Sequence, residues 1–177
     1  MDLAGVDLLL DALKFAATKH VNQRRKDAGA TPYINHPIGL AHVLVTEAGI
    51  DDPTVIAAAI LHDTIEDTDT TPEELEAAFG AAVRAIVEEV TDDKSKRKEE
   101  RKRLQVLHAA HASRGARLVK LADKICNLRD IVAAPPANWD LARRREYFDW
   151  ARSVVDALRG THDGLERIFD ETYRARP

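Results

Sequence analysis

The densest chemistry in the chain lies in six consecutive residues, His62-Asp63-Thr64-Ile65-Glu66-Asp67. On a continuing helix His62 and Glu66 stand four apart, as do Asp63 and Asp67, so all four polar groups share one edge. The stretch just before them, Val55 to Leu61, is apolar without interruption. Three carboxylates held this closely repel one another, and an ionised carboxylate is costly to bury without a partner. A bound cation answers both problems; so does a solvated helix end.

Two further positions add weight. Asp123 lies in Leu118-Val119-Lys120-Leu121-Ala122-Asp123-Lys124-Ile125-Cys126-Asn127-Leu128-Arg129-Asp130, with Asn127 four residues on, at the border of an apolar stripe. A carboxylate at such a border needs a cation, and Lys120, Lys124 and a metal ion all qualify. His36, in Tyr33-Ile34-Asn35-His36-Pro37, precedes a helix start, where a lone histidine caps or packs as readily as it ligates. Arg25 and Lys26, just upstream, offer charge to a phosphorylated ligand. His108 and His111 have helical metal-ligand spacing but no nearby acid to complete a site.

The elements that must carry these groups read as helices. The apolar spacing predicts a first helix over Asp7 to about His20, and a second opened by Pro37 and stopped by Gly49. Asp51 or Asp52 caps a third, with Pro53 in its first turn, running into His62-Asp63. Thr71-Pro72-Glu73-Glu74 starts another that ends near Gly80, followed by one from Ala81 to about Val90. Thr91 to Arg103 is dense in charge and reads as an exposed loop entering a further helix. An amphipathic helix follows Gly115, Pro135-Pro136 break the chain, and the last helices cover about Asp140–Leu158 and His162–Arg174. Only a short piece around Tyr33-Ile34 leaves room for a very short hairpin. The expectation is an all-α bundle forming one domain over residues 1–177.

Composition agrees. The 177 residues are 45% hydrophobic but only 5% aromatic, which suits one helical core. A net charge of −4 argues against a nucleic-acid coat, which needs a broad cationic surface. One cysteine, Cys126, permits no intrachain disulfide and reads as an inert core residue. No basic stretch precedes an apolar segment at the N-terminus, and no apolar run approaches the roughly 20 residues a bilayer requires, so no membrane association is expected and the localisation reads as cytoplasmic. The sequence assigns no oligomeric state.

Taken together, His36, the His62-Asp63 pair and Asp123 resemble the HD superfamily of phosphohydrolases, in which one His, a His-Asp pair and a distant Asp hold a metal. The similarity extends further. Arg25-Lys26, Pro32-Tyr33-Ile34-Asn35-His36-Pro37, Leu61 to Thr68, Phe79-Gly80, Val87 to Thr91, Val119 to Lys124 and Asn127-Leu128-Arg129 resemble, in order, the hydrolase half of Rel/SpoT alarmone enzymes. The stretch from Arg143 to Trp150 is similar to stand-alone small alarmone hydrolases, including the animal SpoT-homologue type. At this length there is no room for the synthetase and regulatory domains of long Rel proteins.

The resemblance implies metal ligation by His36, His62, Asp63 and Asp123, and Mn²⁺ as the metal; the mixed N/O donor set agrees. It implies hydrolysis of the 3′-diphosphate of (p)ppGpp to GDP or GTP and pyrophosphate, lowering alarmone levels in the stringent response. Glu66 and Asp67 would orient or deprotonate water. Arg25 would stack on guanine and Asn127 would contact ribose or support the metal site. Lys26, Lys98, Arg143 and Tyr147 are the remaining candidates for the phosphate and base pocket. Trp139, Phe148 and Trp150 read as packing residues. The rival activities on the same site are removal of the 2′-phosphate from NADPH, a nucleotidase, or alarmone binding without cleavage.

Overall fold

The computed structural model describes residues 1–177 and is all-helical. Its elements are α1 (Leu3–Lys19), α2 (Asn35–His42), α3 (Pro53–Leu61), α4 (Thr64–Asp67), α5 (Pro72–Val90), α6 (Lys98–Ala109), α7 (Arg114–Ala133), α8 (Leu141–Asp156) and α9 (Asp163–Tyr173). None is long and apolar enough to cross a membrane.

Helix α3 is the buried axis of one half. Every residue from Val55 to Leu61 is buried, and the helix packs against α1, α2, α5 and α7. Its start is fixed locally: the Asp52 carboxylate accepts from the Thr54 amide at 2.9 Å, and Pro53, which has no N–H to satisfy, takes the first turn. Helix α7 is the axis of the other half, contacting α2, α3, α5, α8 and α9. Ser113 caps it through the Ala116 amide at 3.2 Å. Leu121, Ile125, Leu128, Phe148 and Phe169 are fully buried in one core of 32 residues. Each such side chain contributes about 1.5–3 kcal/mol of apolar burial.

Three expectations need correction. The helix entering His62-Asp63 does not run on: α3 ends at Leu61, Asp63 has φ −102° and ψ 2°, and α4 starts anew at Thr64. The Asp67 amide still reaches the Asp63 carbonyl at 2.8 Å, so the turn is bent but not lost. The piece around Tyr33-Ile34 forms no strand. An isolated antiparallel bridge, Arg24 to Pro32, closes the loop instead, through Arg25 N to Thr31 O (2.9 Å) and Tyr33 N to Gln23 O (3.1 Å), and a second, Asp27 to Pro136, ties it to the segment before α8. Finally, α2 continues through a widened turn over Val43–Glu47, with Ala48 N reaching back to Val43 O at 3.0 Å.

The break near Gly80 is present. Its φ of 84° and ψ of 163° interrupt α5, a conformation that costs a residue with a Cβ but not glycine.

Candidate active site

Four elements deliver the polar cluster. His36 comes from the first turn of α2, His62 and Asp63 from the bend between α3 and α4, and Asp123 from the middle of α7. One ligand atom each from His36, His62 and Asp123 fall within 4.8 Å of one another. Asp63 adjoins them, its Oδ2 lying 2.9 Å from His62 Nε2. The two imidazoles are each only 5% exposed.

The hydrogen bonds around this cluster prepare it for a cation. His62 Nδ1 lies 2.8 Å from the Ala59 carbonyl, which can only accept. That contact places the proton on Nδ1 and leaves the Nε2 lone pair facing the carboxylates. Nε2 is buried and has no hydrogen-bond partner, and neither has His36 Nδ1. His36 Nε2 stands 3.3 Å from Asp123 Oδ1. Buried lone pairs turned toward carboxylates repel unless something positive lies between them. The residues present therefore fit a divalent metal ion.

In the absence of a cation, a proton on His62 takes its place. Burial alone would lower His62, but the Asp63 carboxylate more than offsets this and pushes it up to about 9. Burial would raise Asp63, yet His62 holds its carboxyl well below the usual range. His36 is lowered by burial. Asp123 is held down against burial by the Lys124 ammonium, 2.8 Å away. The Lys124 ion pair is thus present, with one Asp123 carboxylate oxygen facing Lys124 and the other facing His36.

Supporting residues orient these groups. The Tyr33 hydroxyl donates to Asp63. Asn127 donates to Asp123 Oδ1 at 2.6 Å and accepts from Arg25 at 3.3 Å, so it links the Arg25 loop to the cluster. Arg25 also bonds Asp130 at 2.5 Å. Glu66 lies beside the cluster and accepts from the Asp92 amide at 3.1 Å; burial raises its carboxyl to about 7. Asp67 reaches the rim, where Gln23 donates to it at 2.8 Å and Lys94 pairs with it.

All of these open on one cavity of about 340 Å³. Its lining includes Arg25, Lys26, Tyr33, Lys98, Arg143 and Tyr147 beside His36, His62, Asp63, Glu66, Asp67, Asp123 and Asn127. A second cavity, about 540 Å³, shares Arg25, Lys26, Tyr33, Asn127 and Tyr147 and adjoins it. Every residue that the resemblance assigned to the site therefore lines the same cavity.

The cavity is also lined by Arg101 and Lys102, from the charged segment that read equally as a solvated face or a binding surface, by Lys120 and Lys124, named only as ion-pair candidates for Asp123, and, against expectation, by Trp139 and Trp150. Phe148 alone of the α8 aromatics is fully buried in the core. Tyr147 sits between Trp139 and Trp150, with ring centroids at 5.5 and 5.2 Å. Arg143 lies over Trp139 at 4.6 Å and Lys124 over Trp150 at 4.5 Å. An aromatic strip carrying cations is a cation–π wall. The i, i+4 and i+7 spacing of Arg143, Tyr147 and Trp150 on α8 was the available signal. His108 and His111 belong to no three-residue metal cluster.

The HD domain family model matches residues 12–148, most of the chain and every residue of the cluster. The chain belongs to the HD-domain family. The guanosine-3′,5′-bis(diphosphate) 3′-pyrophosphohydrolase MESH1 of Homo sapiens is 58% identical over 168 residues, covering 95% of this chain and 94% of that protein. The Drosophila melanogaster protein of the same name is 52% identical, covering 94% and 93%. A solved metazoan SpoT ortholog, described as hydrolysing ppGpp, superposes with a TM-score of 0.92 at 51% identity, covering 96% of this chain and 95% of that one.

Proposed function

We propose that this HD domain hydrolyses the 3′-diphosphate of ppGpp, giving GDP and pyrophosphate, and GTP from pppGpp, with Mn²⁺ as its metal. One observation carries this reading: a His36–His62–Asp123 cluster with buried, unpartnered imidazole nitrogens opens into a cavity walled by lysine and arginine. The naming of the close relatives supports the same substrate. In the reaction a water oxygen bonds to the phosphorus attached at O3′, the P–O3′ bond breaks, and O3′ takes up a proton. His36, His62, Asp63 and Asp123 would hold the divalent ion, which would supply Lewis-acid polarisation of the phosphoryl group and ease water ionisation.

The protein's own groups supply the rest. Glu66, raised to about 7, is matched to accepting the water proton near neutral pH. Asp67, held by Gln23 and Lys94, positions the rim of the site. Tyr33 fixes the Asp63 carboxylate and Asn127 fixes that of Asp123. Arg25, tethered by Asn127 and Asp130, offers its flat guanidinium to guanine. Lys98, Arg143 and Tyr147 on the opposite wall, with Lys26 at the cavity mouth, take the 5′-diphosphate. A single active site and no membrane or nucleic-acid partner complete the reading, with action in the cytoplasm.

The test is a substrate panel on Mn²⁺-loaded protein: ppGpp, pppGpp, NADPH and nucleoside 5′-monophosphates, compared by kcat/KM. The reading expects the guanosine 3′-diphosphates to lead. Faster release of orthophosphate from NADPH or a monophosphate would keep the metal site and replace the substrate.

A further inference from the structure

The polar stripe of α7 does not end at the metal cluster. Asn127, Lys124, Asp123 and Lys120 stand at helical i, i+3, i+4 and i+7 positions and all line the cavity. From Asn127 to Lys120 the stripe covers roughly 10 Å of helix axis. Its Asn127 end is occupied by Arg25, and Asp123 marks the cluster in the middle. Nothing in the reaction as described uses its Lys120 end.

That end is built of buried positive charge without a full complement of partners. Lys120 is 7% exposed, and the neighbouring acid on its own helix, Asp123, is taken by Lys124 and Asn127. Arg101 of α6 faces the same corner. Its Nη1 is 3.8 Å from Glu66 Oε1, beyond hydrogen-bond length, and its Nε is buried with no partner. The two other carboxylates there are satisfied by neutral donors: Asp92 accepts from Gln105 at 2.8 Å and Glu66 from the Asp92 amide at 3.1 Å. Burial depresses the Lys120 amine below its ordinary value, the condition an arriving anion reverses.

We propose that Lys120 and Arg101 form an anion subsite for the outer phosphate of the substrate's 3′-diphosphate, the group that becomes the far end of pyrophosphate. The inference rests on the hydrolase reading above. With the nucleoside at the Arg25–Asn127 end and the reacting phosphorus at Asp123, the outer phosphate continues along the stripe toward Lys120. Charge-assisted bonds from Lys and Arg to phosphate are the strong kind, and Lys120 is largely withdrawn from water.

The experiment measures binding of inorganic pyrophosphate and of GDP, separately, to Mn²⁺-loaded wild-type, Lys120→Met, Lys120→Arg and Arg101→Gln proteins by calorimetry, with ppGpp turnover in parallel. Lys120→Met and Arg101→Gln are expected to weaken pyrophosphate by about 10-fold or more, the scale of one charged hydrogen bond, and to leave GDP binding unchanged. Lys120→Arg is expected to retain most of the pyrophosphate affinity. Wild-type pyrophosphate affinity in both charge-removing variants, or equal weakening of GDP, overturns the subsite while leaving the hydrolase intact. A wild-type protein that cleaves no ppGpp overturns the underlying reading instead. Should Lys120→Met fail to fold by circular dichroism, Arg101→Gln decides on the same criteria.

Discussion

His62 Nε2 stands 2.9 Å from Asp63 Oδ2, while the other ring nitrogen is committed to the Ala59 carbonyl. Adjacent residues in sequence are thus turned so that a ring nitrogen and a carboxylate converge on one point. Such an arrangement needs a positive charge between the two, either a proton on the imidazole or a metal ion that replaces it. The fold spends apolar packing on α3 and α7 to hold it.

Asp63→Ala removes one side of this pair and is expected to lose both bound metal and turnover. Metal content after dialysis and ppGpp hydrolysis are the measurements. A variant that keeps stoichiometric metal and full activity would remove Asp63 from the site.

Glu66→Gln keeps the shape and the Asp92 contact but cannot accept a proton. Metal content should be unchanged and turnover should fall by roughly 10²–10⁴. The pH profile gives a sharper check. Burial raises Glu66 to about 7, so the active carboxylate form grows as pH rises through that value, and a bound cation moves the limb lower. Wild-type kcat/KM should therefore rise with pH on an acidic limb at or below about 7, and that limb should vanish in the variant.

Tyr33→Phe deletes the hydroxyl that donates to Asp63 and nothing from the fold. Partners that orient ligating groups are worth about 10–100-fold in metal affinity. The expected result is Mn²⁺ binding weaker by that factor, measured by titration, with an unchanged melting temperature for the metal-free protein.

Leu121→Ala tests the scaffold. Leu121 is fully buried on α7, two residues before Asp123. Truncation should cost about 2–5 kcal/mol in denaturant unfolding. A loss below this range would mean that the α7 core collapses around the cavity.

How much of this was written in the residues varies with the kind of interaction. The helices follow from local rules: Asp52-Pro53, Thr71-Pro72 and the Gly80 break all act within a turn, and each appears where its residue types place it. The cluster was legible because His36, His62-Asp63 and Asp123 form a motif in order. The bend at Asp63 was not, since a helix through Thr64 satisfies the same local preferences and only tertiary packing of α4 decides against it. Lys120, Arg101, Trp139 and Trp150 were not assigned to the site for a related reason. Cations in charged segments and tryptophans read equally as surface and core, and only the packing of α6 and α8 beside α7 encloses the cavity that all four line. The Arg24–Pro32 bridge, likewise, is a closure between loop ends that no periodic pattern announces.

The most direct measurement takes metal-stripped protein in chelator with ppGpp, records GDP and pyrophosphate, and then adds Mn²⁺ in excess. The expected result is no product before addition and equal amounts of GDP and pyrophosphate after it. Undiminished turnover with chelator present, or orthophosphate in place of pyrophosphate, would contradict metal-dependent cleavage at the 3′-diphosphate.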